Sequence, residues 1–517
     1  MPKTRTELAA KLDAVEAGVR AGDERAVKRQ HDEGKLTARE RIAALLDPSS
    51  FVEEFMLSET HVTDFGMAER RQPTDGVVTG YGTVDGRLVF VYAQDRTVLA
   101  GAVGSAHGEK IAYVTELAQR VGAPVVGLLD SVGARIQEGL DVTRAIGRIF
   151  NANVQASGAV PQVSAIMGPC IGVGSYSPAL TDFVLMVRGT SQMFITGPPV
   201  VKEVLGEDVT MEDLGGAKVH SEQSGVADLI ADDDAACLAQ IRKLLGYLPA
   251  SHRERPPHRA SDDSPDRDVE GLEALVPEDL RKPYNMVQVI RRIVDDGDFL
   301  ELKPRWARNM VIGFGRLGGD SVGFVANQPN WLGGAIDIDA ADKATRFIRF
   351  CDAFNIPLVT LVDVPGFFPG TKQERGGIIR HGAKMLYAYA EATVPKITVY
   401  LRKGYGGAKQ AMCTREMGAD QVFVWPGVEL AVMGAPAAVN VLYRREIDQA
   451  ADPEAVRQQR IEEFSERFSG PFDALQKSFA QAALRPPETR RRLIQALRML
   501  ATKEQSAPPK KHGLMPV

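Results

Sequence analysis

Two glycine-rich segments have the make-up of loops that hold an anion with backbone amides: Gly168-Pro169-Cys170-Ile171-Gly172-Val173-Gly174 and Gly404-Tyr405-Gly406-Gly407-Ala408. Each follows an apolar run of strand length and precedes a helical stretch. That order leaves the first N–H groups of the helix without intrahelical acceptors. Such groups can cradle a phosphate or stabilise an oxyanion such as a thioester enolate. A nucleotide loop needs Gly-Lys-Ser/Thr at its end, and a dinucleotide fingerprint needs Gly-x-Gly-x-x-Gly with an acidic residue about 20 positions on. Neither occurs at these two segments, so the oxyanion is favoured over the phosphate there. The plainer alternative is a tight turn that lets a helix pack closely.

Upstream of each loop lies an Asp-x-x-Gly turn, Asp130-Ser131-Val132-Gly133-Ala134 and Asp363-Val364-Pro365-Gly366-Phe367. Gln137-Glu138 and Gln373-Glu374 follow these turns. Either glutamate could serve as a general base, although a carboxylate just after a turn is more often a charge on the first turn of a helix. The eight histidines show no metal-ligand spacing, and no serine is framed as Gly-x-Ser-x-Gly. Metal and acyl-enzyme chemistry are therefore not expected.

The elements that must position these loops occur twice. Gly80, Gly82 and Gly86 recur 233 residues later as Gly313, Gly315 and Gly319, and the register holds through Ala93/Ala326, Lys110/Lys343, Pro124/Pro357, Asp130/Asp363 and Gly133/Gly366. With one residue inserted, Pro161 meets Pro395 and Gly172 meets Gly406. An offset that captures Lys, Pro and Asp as well as glycine indicates an internal duplication. Valine-rich runs at Val89–Tyr92, Pro124–Leu129 and Gln162–Met167 alternate with helical stretches such as Glu109–Val121, an α/β pattern. The run from Pro249 to Glu270, rich in Pro, Ser and charge, reads as a linker. We therefore expect domains at 1–255 and 256–517. The first carries a helical extension over 1–50, with Leu8, Leu12, Val15 and Val19 at helix spacing, a turn near Gly34 and a second helix through Ile42–Leu46.

A chain of 517 residues exceeds the size of one hydrophobic core. Its net charge of -5 supplies no global field for a nucleic-acid backbone or an anionic membrane. The four cysteines form no Cys-x-x-Cys pair, which suits buried free thiols in a reducing compartment. With no signal-peptide character and no apolar run of spanning length, a cytoplasmic location is expected.

At these motifs the sequence resembles the β subunits of propionyl-CoA and acetyl-CoA carboxylases along nearly its whole length. The resemblance is carried by Asp75-Gly76-Val77-Val78-Thr79-Gly80, His107-Gly108-Glu109-Lys110-Ile111, Gly133-Ala134-Arg135-Ile136-Gln137-Glu138-Gly139 and Phe194-Ile195-Thr196-Gly197-Pro198. Further on it rests on Ala326-Asn327-Gln328-Pro329, Asp363-Val364-Pro365-Gly366-Phe367, Gly377-Ile378-Ile379-Arg380-His381 and Ala431-Val432-Met433-Gly434-Ala435. It implies an α/β fold of two tandem crotonase-like domains built from ββα superhelical units, the first on the acyl-CoA side and the second on the biotin side. It also implies a homohexameric core and active sites between domains of neighbouring subunits.

By the same resemblance, the amides of Gly172 and Val173 and of Gly407 and Ala408 form two oxyanion holes. Gly133, Ala134, Lys409 and Gln410 fall at substrate-binding positions, and Gly366, Phe367 and Tyr405 at biotin-binding ones. The implied acceptor is propionyl-CoA, then acetyl-CoA. The sequence has no biotin-acceptor Met-Lys-Met and no ATP-binding loop, so biotin is expected on a separate biotinylated α subunit, with no metal held by this chain. Val132 and Val173 depart from the family, which usually has glycine there, and narrow the pocket. The rival readings are the carboxyltransferase subunit of a sodium-pumping decarboxylase, a non-catalytic assembly subunit and a crotonase-type hydratase.

Overall fold

The computed structural model describes residues 4–468 and 470–517, and the chain divides into two compact units, Met1–Arg255 and Pro256–Val517. In the first unit, strands β1 (Val52–Glu54), β2 (Val77–Val84) and β3 (Arg87–Gln94) pair antiparallel. The Asp85-Gly86 turn between β2 and β3 has both φ values positive, 50° and 75°, the twist that a two-residue hairpin demands. Beyond β3 the sheet turns parallel, through β4 (Val125–Ser131), β5 (Gln162–Ile171) and β6 (Phe183–Val187), with β7 (Gln192–Phe194) beside β5 and β8 (Leu229–Ala231) beside β6. Helices Ser105–Val121 and Leu140–Ala156 make the crossovers and bury Ile111, Val114, Ile146 and Ile149 against the sheet.

The second unit repeats this plan with β9 (Leu300–Leu302), β10 (Met310–Leu317), β11 (Asp320–Asn327), β12 (Leu358–Val364), β13 (Lys396–Tyr405), β14 (Gln421–Val424), β15 (Glu429–Ala431) and β16 (Ala482–Ala483). The neighbour order is the same, including a short strand, β15, beside the long β13. Its hairpin turns at Gly318-Gly319, again with both φ values positive.

The recurring glycines have one cause. A Cβ at Gly80 would lie 2.1 Å from the Val52 carbonyl oxygen, and one at Gly313 would lie 2.3 Å from that of Leu300. Each glycine lets the edge strand cross its neighbour closely. Gly80→Ala is expected to destabilise the first unit by about 1–3 kcal/mol through overpacking against backbone, measured as a lowered denaturation midpoint at unchanged m value.

In each unit the long strand changes neighbour halfway along. The β4–β5 register breaks between Leu129/Ile166 and Ser131/Cys170, and β5 passes from β6 to β7. β13 does the same between Val362/Tyr400 and Val364/Gly404, passing from β14 to β15. Such an irregularity re-aims the end of a strand, and here both ends run directly into the glycine loops.

The N-terminal extension has three helices rather than two: α1 (Arg5–Ala21), α2 (Glu24–Asp32) and α3 (Ala38–Leu45). Gly22, at φ 69°, ends α1, and the Asp23 side chain accepts from Ala26 N–H to start α2. Thr37 and Glu40 form a capping box that starts α3. The apolar stripe of α1 is not buried in this chain: Leu8 is 51% and Leu12 46% exposed.

Candidate active site

In the first unit β5 ends at Ile171, and the chain turns through Gly172 at φ 70° into the short helical segment Gly172–Ser175. Val173 is exposed, and a Cβ at Gly172 or Gly174 would meet nothing closer than 3.9 Å, so the loop opens on free space. Ser175 Oγ donates to the Gly172 carbonyl at 2.7 Å and tightens the turn. The first N–H groups of such a turn have no acceptor within it.

The second unit repeats the geometry. β13 ends at Tyr405, Gly406 turns at φ 58°, and the helix Gly406–Ala411 begins. A Cβ at Gly407 meets nothing within 4 Å, whereas Ala408 is buried. A carbonyl flanks each turn, that of Ile195 in the first unit and that of Val432 in the second.

The remaining candidates divide between the two units. Gly133, at φ 99°, lies so close to the Ile171 carbonyl that a Cβ would sit 2.8 Å from it, which places the Gly133-Ala134 turn against the Gly172 loop. Gly366 and Phe367 occupy the same place in the second unit: Ile336 bridges Phe367 as Val103 bridges Ala134. The close approach seen at Gly133 is not repeated at Gly366, where a Cβ would meet nothing within 4 Å. The Phe367 ring lies against Gly382. Tyr405 is buried, its hydroxyl donates to Glu429, and burial followed by that carboxylate keeps the phenol protonated. Lys409 places its ammonium 5.0 Å from the Phe479 ring centre beside a cavity of about 230 Å³, and burial pushes its pKa below the usual lysine value. Gln410 Oε1 accepts from Thr414 Oγ1 at 2.6 Å.

Glu138 and Gln373 prove structural, and Glu374 lies exposed in the first turn of the helix Thr371–Gly376. Glu138 is 4% exposed, bridges to Arg135 Nη1 at 2.7 Å and accepts the Ser105 N–H at 2.6 Å. Burial pushes its carboxyl upward, but those donors outweigh it and hold it below the usual glutamate range. A carboxylate so occupied is no general base. Gln373 Oε1 accepts from the Ile338 N–H at 3.0 Å and so fastens a helix start.

Sequence reasoning missed the network around Arg135. Its Nη1 also contacts Asp75 Oδ1 at 2.6 Å, and its Nη2 donates to the Ala102 carbonyl at 2.8 Å. His107 donates its backbone N–H to Asp75 Oδ2 at 2.9 Å, and its Nδ1 lies 3.1 Å from the Asp75 carbonyl. The available signal was an Arg-x-x-Glu spacing beside a glycine turn. Burial, reinforced by Arg135, pushes the His107 imidazole down to about 3 from 6.5. Between those values the unfolded chain binds the proton more tightly, so His107 costs stability as pH falls below 6.5, with the full cost reached near 3. The slope is at most about 1.4 kcal/mol per pH unit. A His107→Gln variant is expected to flatten the pH dependence of the denaturation midpoint in this window; an unchanged slope would assign it to other groups.

Among the described residues no cluster of His, Cys, Asp or Glu could hold a metal, and no helix is long and apolar enough to cross a membrane. The four cysteines are free and buried.

Comparison with known proteins agrees with this geometry. A family model described as a carboxyl transferase domain matches residues 29–515. The propionyl-CoA carboxylase carboxyltransferase subunit of Haloferax mediterranei is 52% identical, over 97% of each chain. The methylmalonyl-CoA decarboxylase subunit alpha of Veillonella parvula is 51% identical, over 98% of this chain and 97% of its own. The crystal structure of transcarboxylase 12S, described as a hexamer with methylmalonyl-CoA bound, matches with a TM-score of 0.97 at 49% identity, over 100% of this chain and 99% of that one. Two similar α/β halves, a glycine-turned amide pair in each, and a match along nearly the whole sequence lead to one conclusion: the chain belongs to the carboxyl transferase family and is a carboxyltransferase enzyme.

Proposed function

We propose that the chain transfers a carboxyl group between biotin carried on a separate protein and the α-carbon of a short-chain acyl-CoA, propionyl-CoA first. The observation that carries this reading is the pair of equivalent glycine turns, Gly172-Val173 and Gly407-Ala408, each at the end of the long strand and the start of a helical turn, with open space where a Cβ on Gly172 or Gly407 would lie. Carboxyl transfer requires an oxyanion to be stabilised on each of two partners. Two preorganised amide pairs meet that need, and each donor that strengthens its bond in the transition state is worth about 3–4 kcal/mol.

The Gly172 and Val173 amides receive the thioester oxygen, and the Gly407 and Ala408 amides receive the ureido oxygen of biotin. The open space over Gly407, where even a Cβ would meet nothing, fits a ring approaching the backbone. When bound, carboxylated biotin supplies the CO₂ and a base for the α-proton. Gly133-Ala134 borders the thioester side, and Gly366, Phe367 and Tyr405 border the biotin side. Val132 and Val173, 43% and 38% exposed beside the first loop, keep the acyl group short. Lys409 and Gln410 follow the second loop directly, Lys409 beside the cavity at Phe479 and Gln410 held by Thr414. The first unit thus serves acyl-CoA and the second biotin, within a hexamer like that of transcarboxylase 12S.

The opposite net direction is the second reading, favoured by the near-equal identity to the Veillonella decarboxylase subunit. ATP-dependent fixation of labelled bicarbonate by this chain with a biotinylated α subunit, tried on acetyl-, propionyl-, butyryl- and hydroxyacyl-CoA, separates the two. Fixation on propionyl-CoA that requires biotin is expected. Loss of CO₂ from malonyl-type thioesters without any fixation would assign the decarboxylase.

A further inference from the structure

Asp130 and Asp363 are equivalent positions, and both are wholly buried at 0% exposure. They are neutralised in opposite ways. In the second unit the guanidinium comes from the sheet: Arg402, in the irregular part of β13, donates from Nε to Asp363 Oδ2 at 2.8 Å. Its Nη1 reaches outward to the carbonyls of Pro277, Asp279 and Lys282. At the offset of 234 that aligns Gly172 with Gly406, the residue matching Arg402 is Gly168. No side chain fits there, because a Cβ would lie 2.0 Å from Asp130 Oδ1.

The first unit brings its guanidinium from outside the sheet. Arg41 on α3 contacts Asp130 Oδ2 at 3.2 Å through Nη1 and Asp234 Oδ2 at 2.7 Å through Nε. Its Nη2 donates to the Met167 carbonyl at 3.0 Å. Gln30 on α2 and Lys35 in the following turn add donors to the same Asp130 oxygen at 3.0 and 3.5 Å. Met167 lies where the β4–β5 ladder breaks, so strand pairing does not fix its carbonyl. Arg41 does.

We infer that Arg41 is a positioning residue for the Gly172-Val173 amide pair, acting through the Met167 carbonyl and Asp130 at the bend of β5. This makes α2 and α3 part of the scaffold of the site. The inference rests on the proposed role of those amides. Its structural half, the hold on the loop, can be read without any turnover.

The test compares Arg41→Met, Arg41→Lys and the double variant Arg41→Met/Asp130→Asn in the full chain. It records melting temperature, hydrogen exchange of the peptide spanning 168–177 with 402–411 as internal control, and steady-state carboxyl transfer. Arg41→Met is expected to lower the melting temperature by taking the guanidinium from Asp234 and leaving Asp130 with Lys35 and the more distant Arg96, and the double variant, in which Asp234 stays charged, to recover part of that loss. Arg41→Lys keeps the charge but not the fork, so it retains most of the stability. In the double and Lys variants exchange at 168–177 should still rise about tenfold, with 402–411 unchanged. Their kcat should fall about tenfold to a hundredfold with KM little altered. Wild-type exchange and kcat in both variants would overturn the inference, because Arg41 would then only neutralise charge. Fast exchange at 168–177 with undiminished kcat would confirm the hold on the loop and remove the amides from catalysis instead.

Discussion

Gly407→Pro is expected to lower kcat for carboxyl transfer by about 10²–10³-fold, or about 3–4 kcal/mol, with the melting temperature nearly unchanged. Position 407 lies in the first turn of the helix Gly406–Ala411, where an N–H has no intrahelical acceptor. Proline is tolerated in that turn, so the substitution deletes one donor without breaking a backbone bond. A Cβ at Gly407 would meet nothing within 4 Å. Gly407→Ala, which keeps the N–H, serves as the control and should retain most of the activity. Equal loss in both variants would mean that the space matters and the donor does not.

Arg135→Met carries the largest expected cost in stability. It leaves Asp75, wholly buried, and Glu138, 4% exposed, without their shared cation. Removing one member of a buried ionic cluster costs about 3–5 kcal/mol, because the stranded charges stay desolvated. The triple variant Arg135→Met/Asp75→Asn/Glu138→Gln removes those charges and is expected to recover most of the loss in chemical denaturation. If single and triple variants are equally unstable, the cost lies in the lost grip on the Ala102 carbonyl, next to the Val103–Ala134 bridge.

The duplication was legible in the sequence because the same backbone collision selects the same residue twice. Gly80 and Gly313 face a carbonyl oxygen of the crossing edge strand, and Gly172 and Gly406 adopt positive φ at the same turn. The strands were legible too: the parallel strands are buried on both faces and read as continuous valine-rich runs. The three-helix extension was misread as two helices because the stripe from Leu8 to Val19 outweighed the stop at Gly22 and the cap at Asp23. Glu138 could be read as a base or as a first-turn helix charge, and neither reading contains the Arg135 that the fold sets against it at 2.7 Å. Arg41 stayed hidden for a different reason: its partner Asp130 lies 89 residues away, and the duplication itself misleads there. Gly168 and Arg402 are unlike residues at matching positions, and only the fold shows that Arg41 supplies from a helix what Arg402 supplies from a strand.

The central claim is that a carboxyl group moves between an acyl-CoA and biotin on these paired amides. The most direct measurement mixes the chain with methylmalonyl-CoA labelled in its free carboxyl and a biotinylated carrier protein, then follows label and thioester together. The account predicts that label appears on the carrier in equal amount to propionyl-CoA formed, that unbiotinylated carrier receives none, and that Gly407→Pro slows both at once. Release of label at a rate indifferent to biotin, or label that never leaves the thioester, would contradict it.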